Sequence, residues 1–565
     1  GNLIFLERRE GGVRGATATG LVAALFCTTL GNLAGALQAF QKPSAPKDFN
    51  WWDPSRVIPH TINEFPFFSF LLADLHAHVM AIPFGLLVVA MSLELSLTPS
   101  AELFWWRKSG TRRAVDDPAN VDGVRDRGTR ASLVDRHTGP ALGIIARPIP
   151  FPTIALADRG QVLFVSSAIA AGSLYVLNGW DYPTYMAVLV IPLVARVFVP
   201  LAPEDRLPLG MLLAWCFGVG AASLVAMAPF LALYRPPTGG IGLVHDRTSI
   251  GQFLTVYGLP VFVVGTWLLA TVARDAKPNR RLVITAISAV LFMAMLLEPA
   301  HLDVLGLSLF ASLLALELLT RARAGTAAAF VAGLVLIAGL LLAVEEVVYL
   351  RDAFQLGPEY RMNTVFKFGY VAWLFLSVAG AYSVFACLRL LKPDARVAWA
   401  AVAALLVAAS LVYTSLGAYS KSQQFAHLVG LDGFSYLRTT APGDAAAIRW
   451  LQSVPGRPVV LEAVGDDYSE FGRVSTYPAL PTVLGWEGHE AQWGHQMGRR
   501  RADVATMYGT PDPSVALPLL RKYDVRYVFI GTLERQTYPT GLAKFAHMGY
   551  VVVDTDGTQV VDVGR

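Results

Sequence analysis

The feature that most constrains this chain is a series of apolar runs, each near the ~20 residues an α-helix needs to cross the hydrocarbon core of a bilayer. They fall near residues 16–38, 79–97, 161–178, 184–200, 208–233, 253–273, 281–297, 303–320, 325–350, 365–390 and 397–418. Lipid offers no water to backbone N–H and C=O groups, so runs of this length must close their hydrogen bonds internally, as helices. The expected fold is a polytopic α-helical membrane protein of about eleven spans, and the lipid bilayer is its first partner. Of 565 residues, 54% are hydrophobic and 16% charged, and the mean hydropathy is +0.47; a soluble chain of this size is more polar. A net charge of +4 gives no reason to expect nucleic acid as a partner. Cys27, Cys216 and Cys387 lie far apart in apolar runs and read as small core residues, not as a disulfide framework or a zinc site. The chain opens on Gly1-Asn2-Leu3 with no signal-peptide pattern, which suggests a fragment or a processed product.

Lys and Arg collect in cytoplasmic loops. With a cytoplasmic N-terminus, Arg8, Arg9 and Arg14 fall on the same side as the 98–160 loop, which carries Arg107, Lys108, Arg112, Arg113, Arg125, Arg127 and Arg130. The basic clusters at 274–281, 321–323 and 389–396 fall there too. The expectation is a plasma (inner) membrane protein with a transmembrane domain over 1–419, whose 98–160 loop is cytoplasmic and disordered. From residue 420 the pattern changes. AAAIRWLQSV (445–454) has helical spacing, PVVLEAV (458–464) and RYVFIG (526–531) read as strands, and GYVVVDTDGTQVVDV (549–563) as a hairpin turning at Asp556-Gly557. This predicts an extracytoplasmic α/β domain over 420–565.

Chemistry concentrates on the expected outer side. EFPFFSFLLADLHAHVMAIPF (64–84) sets Glu64, Asp74, His76 and His78 beside a strongly apolar run. An ionisable group at the bilayer centre costs about 2.5–3.5 kcal/mol on insertion scales, so groups kept near one usually act. Asp74 and His78 share a face of a helix; in extended chain Asp74, His76 and His78 share a side. Either geometry could hold a divalent metal or an acid–base pair, and a polar helix end satisfied by water and backbone fits equally well. NGWDYPTY (178–185) adds Trp180 and Asp181. YLRDAFQLGPEYRMNTVFK (349–367) adds Arg361, Asn363 and Lys367, which flank the expected start of a membrane helix, where an anion such as phosphate is favoured. The competing reading pairs Lys367 with Glu346 or Asp352, or lets it snorkel to the interface. PTVLGWEGHEAQW (481–493) brings together Trp486, Glu487, His489 and Glu490, a composition suited to sugar stacking or to docking one part of the protein on another.

These four motifs, in this order, resemble the YYY-domain membrane proteins, large prokaryotic polytopic proteins of uncharacterised function. The resemblance covers almost the whole chain. No Tyr-Tyr-Tyr run exists here; in the family it lies N-terminal to this region, so the chain resembles a member lacking that part. The family in turn looks like the GT-C superfamily of membrane glycosyltransferases, which take sugar from a polyprenyl-phosphate donor and pass it to an acceptor outside the membrane. That resemblance implies a GT-C-like fold, with Asp74-Leu75-His76 as the acidic motif of a later outer loop. Argued from the residues, Asp74 with Glu64 nearby can act as catalytic base or metal ligand, and His76 and His78 can complete a site for a divalent metal, Mg or Mn, or share the proton work. Trp180, Asp181, Arg361, Asn363, Lys367, Trp486, Glu487, His489 and Glu490 would then bind the donor and an unknown acceptor. The alternatives are a membrane transporter, which also needs buried charges near span ends, and a non-catalytic membrane scaffold.

Overall fold

The computed structural model describes residues 12–43, 45–73, 76–103, 158–198, 206–234, 239–274, 301–321, 326–426, 430 and 432–564. The chain divides into two compact units. The first comprises Gly1–Tyr234, Leu243–Tyr349 and Met362–Ala418; the second comprises Arg235–Gly242, Leu350–Arg361 and Tyr419–Arg565. Two segments that the sequence reading placed in the membrane domain, 235–242 and 350–361, thus group with the C-terminal unit.

The first unit is helical. It begins with α1 (Gly12–Ala24), α2 (Ala34–Gln41), α3 (Pro66–Leu72) and α4 (Ala77–Leu97). There follow α5 (Arg159–Leu177), α6 (Asp181–Phe198), α7 (Leu209–Ala226), α8 (Ile250–Arg274), α9 (Asp303–Arg321), α10 (Ala327–Val344), α11 (Met362–Leu390) and α12 (Pro393–Lys421). Among the described residues nine helices, α4 to α12, are long and apolar enough to cross a membrane. Nine of the eleven expected spans therefore stand as single helices. The expected span at 281–297 lies outside the described residues, as do residues 104–157 of the basic loop.

The expected span at 16–38 is broken: the helix ending at Thr29 and α2 meet at 60°. The cause is Tyr413 of α12, fully buried, whose hydroxyl donates to Trp51 O at 3.0 Å. Gly31 and Gly35 lie against it; a Cβ on either would come within 2.8 Å and 2.7 Å of Tyr413 Cβ. The backbone freed at the break is satisfied from neighbouring spans. Gly31 N–H donates to Ser410 O at 3.2 Å and Leu33 N–H to Thr255 O at 2.9 Å. Two other spans are shorter than their apolar runs. α10 stops at Val344 because Glu345 and Glu346 follow, both buried, with Thr248 N–H donating to Glu346 Oε2 at 2.9 Å. α7 stops at Ala226, three residues before Pro229, which opens a separate short turn. α11 is the most buried span and packs against α8 and α10.

The second unit holds a four-stranded sheet of β1 (Val459–Leu461), β2 (Val525–Ile530), β3 (Tyr550–Thr555) and β4 (Thr558–Asp562), in the order β1-β2-β4-β3. β1 and β2 are parallel; β2–β4 and β4–β3 are antiparallel. The hairpin turns at Asp556 (φ 43°) and Gly557 (φ 78°), the left-handed pair that two-residue hairpin turns require. α13 (Pro442–Gln452) covers the sheet through Ala447, Ile448 and Leu451, which cluster with Val460, Phe529 and Val560. The expected α/β domain is present, strand for strand.

Candidate functional site

In the first unit the loop before α3, the start of α4 and the first turns of α11 converge on one acid, Glu64. Pro66 opens α3 and leaves Glu64 just ahead of it, buried. Ser69, one turn into α3, donates its hydroxyl to Glu64 Oε2 at 3.1 Å. Arg56 Nη1 stands 3.9 Å from Oε1 and also donates to Ser55 O at 2.9 Å, while its guanidinium lies 4.4 Å above the Trp52 ring. His78, on the first turn of α4, is buried and holds Nε2 3.6 Å from Glu64 Oε2. That exceeds hydrogen-bond length, and the buried Nε2 has no hydrogen-bond partner. The His78 ring sits between Phe366 and Tyr370 of α11, at centroid distances of 4.3 Å and 4.5 Å. The Tyr370 hydroxyl lies near Ser69 but in no hydrogen-bonding geometry, so it too is an orphan buried beside Glu64.

Two further sequence-selected groups reach this place. Lys367, on the second turn of α11, acts electrostatically on both His78 and Asp181. Asp181 opens α6, where the helix dipole favours an acid, and is held by Asn178 Nδ2 donating to Oδ1 at 3.0 Å. Glu64 and His78 thus stand side by side, and Lys367 lies within electrostatic range of His78 and of Asp181. Trp180 is half-buried in the turn before Asp181. Asn363 shares a face of α11 with Lys367, four residues away. His76 caps α4, exposed, with its ring 4.3 Å from that of His78. Asp74 lies outside the described residues. Among the described residues no three His, Cys, Asp or Glu side chains are placed to hold a metal ion, so the expected metal site depends on Asp74.

The remaining residues belong to the second unit. Arg361 is buried in the turn directly before α11. Trp486, Glu487, His489 and Glu490 begin α14 (Glu487–Gln492), where Glu487 pairs with Arg501 and Glu490 Oε2 meets His495 Nδ1 at 2.5 Å. Arg56, Ser69 and Tyr370 were missed in the sequence. Tyr370 had a signal: it stands three residues after Lys367, one turn along the same helix face. Arg56 had none, because the loop that carries it back to Glu64 has no period.

Fold and site define a polytopic membrane protein with an ionisable cluster inside its helical bundle and an α/β domain after the last span. The chain belongs to the DUF2298 family of uncharacterized membrane proteins, whose model matches residues 5–376. No curated protein matches it in sequence. Two solved structures of the Archaeoglobus fulgidus oligosaccharyltransferase resemble it. One is tethered to an acceptor peptide containing the NVT sequon; it is 14% identical, covers 98% of this chain and 74% of its own, and has a TM-score of 0.33. The other, AglB in complex with an inhibitory peptide and a dolichol-phosphate, is 13% identical, covers 97% and 74%, and scores 0.32. A likeness of that size assigns no residue and no reaction.

Proposed function

We propose that this protein is an integral membrane glycosyltransferase of the GT-C type, moving a sugar from a polyprenyl-phosphate donor to an extracytoplasmic acceptor. The observation that carries the reading is the buried Glu64–His78 pair inside the bundle, with Lys367 in electrostatic range of His78 and Asp181. Each is costly there alone, and together they supply the parts that sugar transfer needs. An acceptor hydroxyl gives its proton to the Glu64–His78 pair as its oxygen bonds to the anomeric carbon. The carbon–oxygen bond to the donor phosphate breaks, and the phosphate leaves with the electron pair. Lys367 neutralises that phosphate, and the positive end of the α11 dipole favours it as well. Arg361, just ahead of α11, is the second cation of the reading. Phe366, Ile82 and Leu374 pack together beside His78 and make the surroundings apolar, which disfavours water as a competing acceptor. A divalent cation, Mg or Mn, held by Asp74 with His76 or His78, would add charge stabilisation at the phosphate.

The test is transfer itself. The full-length protein in membranes is given radiolabelled polyprenyl-phosphate sugars, and label leaving the lipid phase is counted. Label that stays on the lipid with every donor tried, while the protein remains folded, would sink the transferase reading. Label that crosses sealed vesicles unchanged would favour a transporter.

A further inference from the structure

The second unit carries an aromatic surface that the reaction above does not use. Tyr468, Trp486 and His489 contact one another, with ring centroids 5.3 Å (Tyr468–Trp486), 5.2 Å (Tyr468–His489) and 5.7 Å (Trp486–His489) apart. Two loops are fastened together to present them. Gly488 N–H donates to Asp467 Oδ1 at 3.3 Å, the Trp486 indole N–H donates to Phe471 O, and Arg501 Nη2 donates to Gly465 O at 3.0 Å. A side chain on Gly488 would collide with Asp467 Oδ2. Tyr468 is held at φ 55°, a conformation few non-glycine residues adopt, and is 68% exposed. The fastening spends backbone strain to hold a large apolar ring out in water.

The distances decide what such a surface can take. Rings this close pack edge against face on each other, within the usual 4.5–7 Å of aromatic pairs. No space remains among them for a cation, so the cluster is not a cage for an ammonium group. Their outer faces remain available, with His489 exposed and Trp493 54% exposed nearby. The charge around them is acidic on balance: Asp466 and Asp467 flank Tyr468 in its loop, while Glu487 and Glu490 are paired with Arg501 and His495. An acidic border repels phosphates and anionic lipid headgroups. Flat apolar faces edged by fixed hydrogen-bond acceptors instead suit a pyranose ring, whose C–H face stacks while its hydroxyls donate to carboxylates.

We propose that the Tyr468–Trp486–His489 surface is a carbohydrate-binding site for uncharged or amino pyranosides. It rests on its own geometry and stands whether or not the bundle transfers sugar. The test is saturation-transfer-difference NMR on the full chain in detergent micelles, with trisaccharides of glucose, mannose and N-acetylglucosamine, and sialyllactose as the anionic control. At least one neutral trisaccharide should receive saturation, strongest at its ring C–H protons, and sialyllactose should not. Tyr468→Leu should weaken that binding roughly 3- to 10-fold, the scale of one aromatic contact, and Tyr468→Phe should keep it. His489→Ala, at a second exposed position, should weaken it as well. Absence of saturation from every neutral sugar, or unchanged binding in Tyr468→Leu and His489→Ala, would overturn the proposal. Because no transfer is read, an inactive protein that binds sugar separates this outcome from failure of the transferase reading.

Discussion

Replacing Glu64 by Gln keeps the shape and an acceptor for Ser69 but removes the charge that Arg56 and His78 flank. Arg56 Nη1 at 3.9 Å gives a gross Coulomb attraction of about 4 kcal/mol at an effective dielectric of 20. The Arg56 side chain is 27% exposed, so water recovers much of this once the partner is gone. The net loss in stability is then about 1–3 kcal/mol, between the surface and buried limits for ion pairs. Out of a typical 5–15 kcal/mol, that leaves about 95% or more of the protein folded. Unfolding therefore cannot lower activity by more than a small fraction. Losing the base lowers it by about 10²–10⁴-fold. The assay is label transfer from the polyprenyl phosphate, paired with a thermal melt on the same sample. Arg56→Met is the companion, since it breaks the same ion pair from the other side and leaves the base in place. The reasoning predicts similar melts for the two variants and a rate deficit of ~10² or more for Glu64→Gln alone. Equal rates in the two variants, or a Glu64→Gln rate within about threefold of wild type, would refute it.

Lys367→Met should weaken binding of a polyprenyl-phosphate donor about tenfold or more while α11 remains intact, since one charge-assisted contact to phosphate is lost; equilibrium binding of a fluorescent donor measures this, and unchanged affinity would return Lys367 to a structural role. Burial raises the Glu462 carboxyl from its ordinary 4.5 to about 7, against the lowering effect of Ser475, the Val474 N–H and Arg473. The folded state then holds a proton there that the unfolded chain has released, so no penalty exists below about 4.5 and about 3 kcal/mol of stability is lost as pH rises through about 7. Hydrogen exchange of the β1 and β2 amides should show this fall between pH 5 and 8 in wild type and a flat profile in Glu462→Gln; a fall of the same size in the variant would discard the assignment. Cysteines placed at residues 120 and 556 of the sequence should label from opposite faces of sealed vesicles, and labelling of both from one face would overturn the orientation.

Span positions were legible because about 20 consecutive apolar residues admit one structure in lipid. The break at Leu30–Leu33 was not, because its cause is Tyr413, on the last span, pressing on Gly31 and Gly35. Nothing local marks it beyond the glycines themselves. In the C-terminal unit the strands and the hairpin followed from β-rich runs and an Asp-Gly turn, both short-range signals. The site was legible only in part. Glu64, His78, Asp181 and Lys367 stood out as ionisable groups at span ends; Glu64 and His78 stand side by side, with Lys367 in electrostatic range of His78 and Asp181. Their partners did not: Arg56 returns through an irregular loop, and Tyr370 looks like one more apolar-helix aromatic until the His78 ring is placed against it. The aromatic surface was read from Trp486 and His489, but Tyr468, 68% exposed, sits on a separate loop.

The broken span also sets a condition on how this protein is made. Its exposed backbone groups at Gly31 and Leu33 are closed by Ser410 and Thr255, on α12 and α8. Ribosomes build the chain from the N-terminus at ~5–20 residues per second, so the partner on α12 emerges tens of seconds after the groups it must satisfy. Until then the N-terminal segment cannot rest in hydrocarbon without unpaired amides. It must wait at the water–lipid boundary or in the care of the insertion machinery. A ribosome stalled before α12 would leave it there, open to proteases. The broken span is thus finished long after it is synthesised, once the segments that carry Thr255 and Ser410 have arrived.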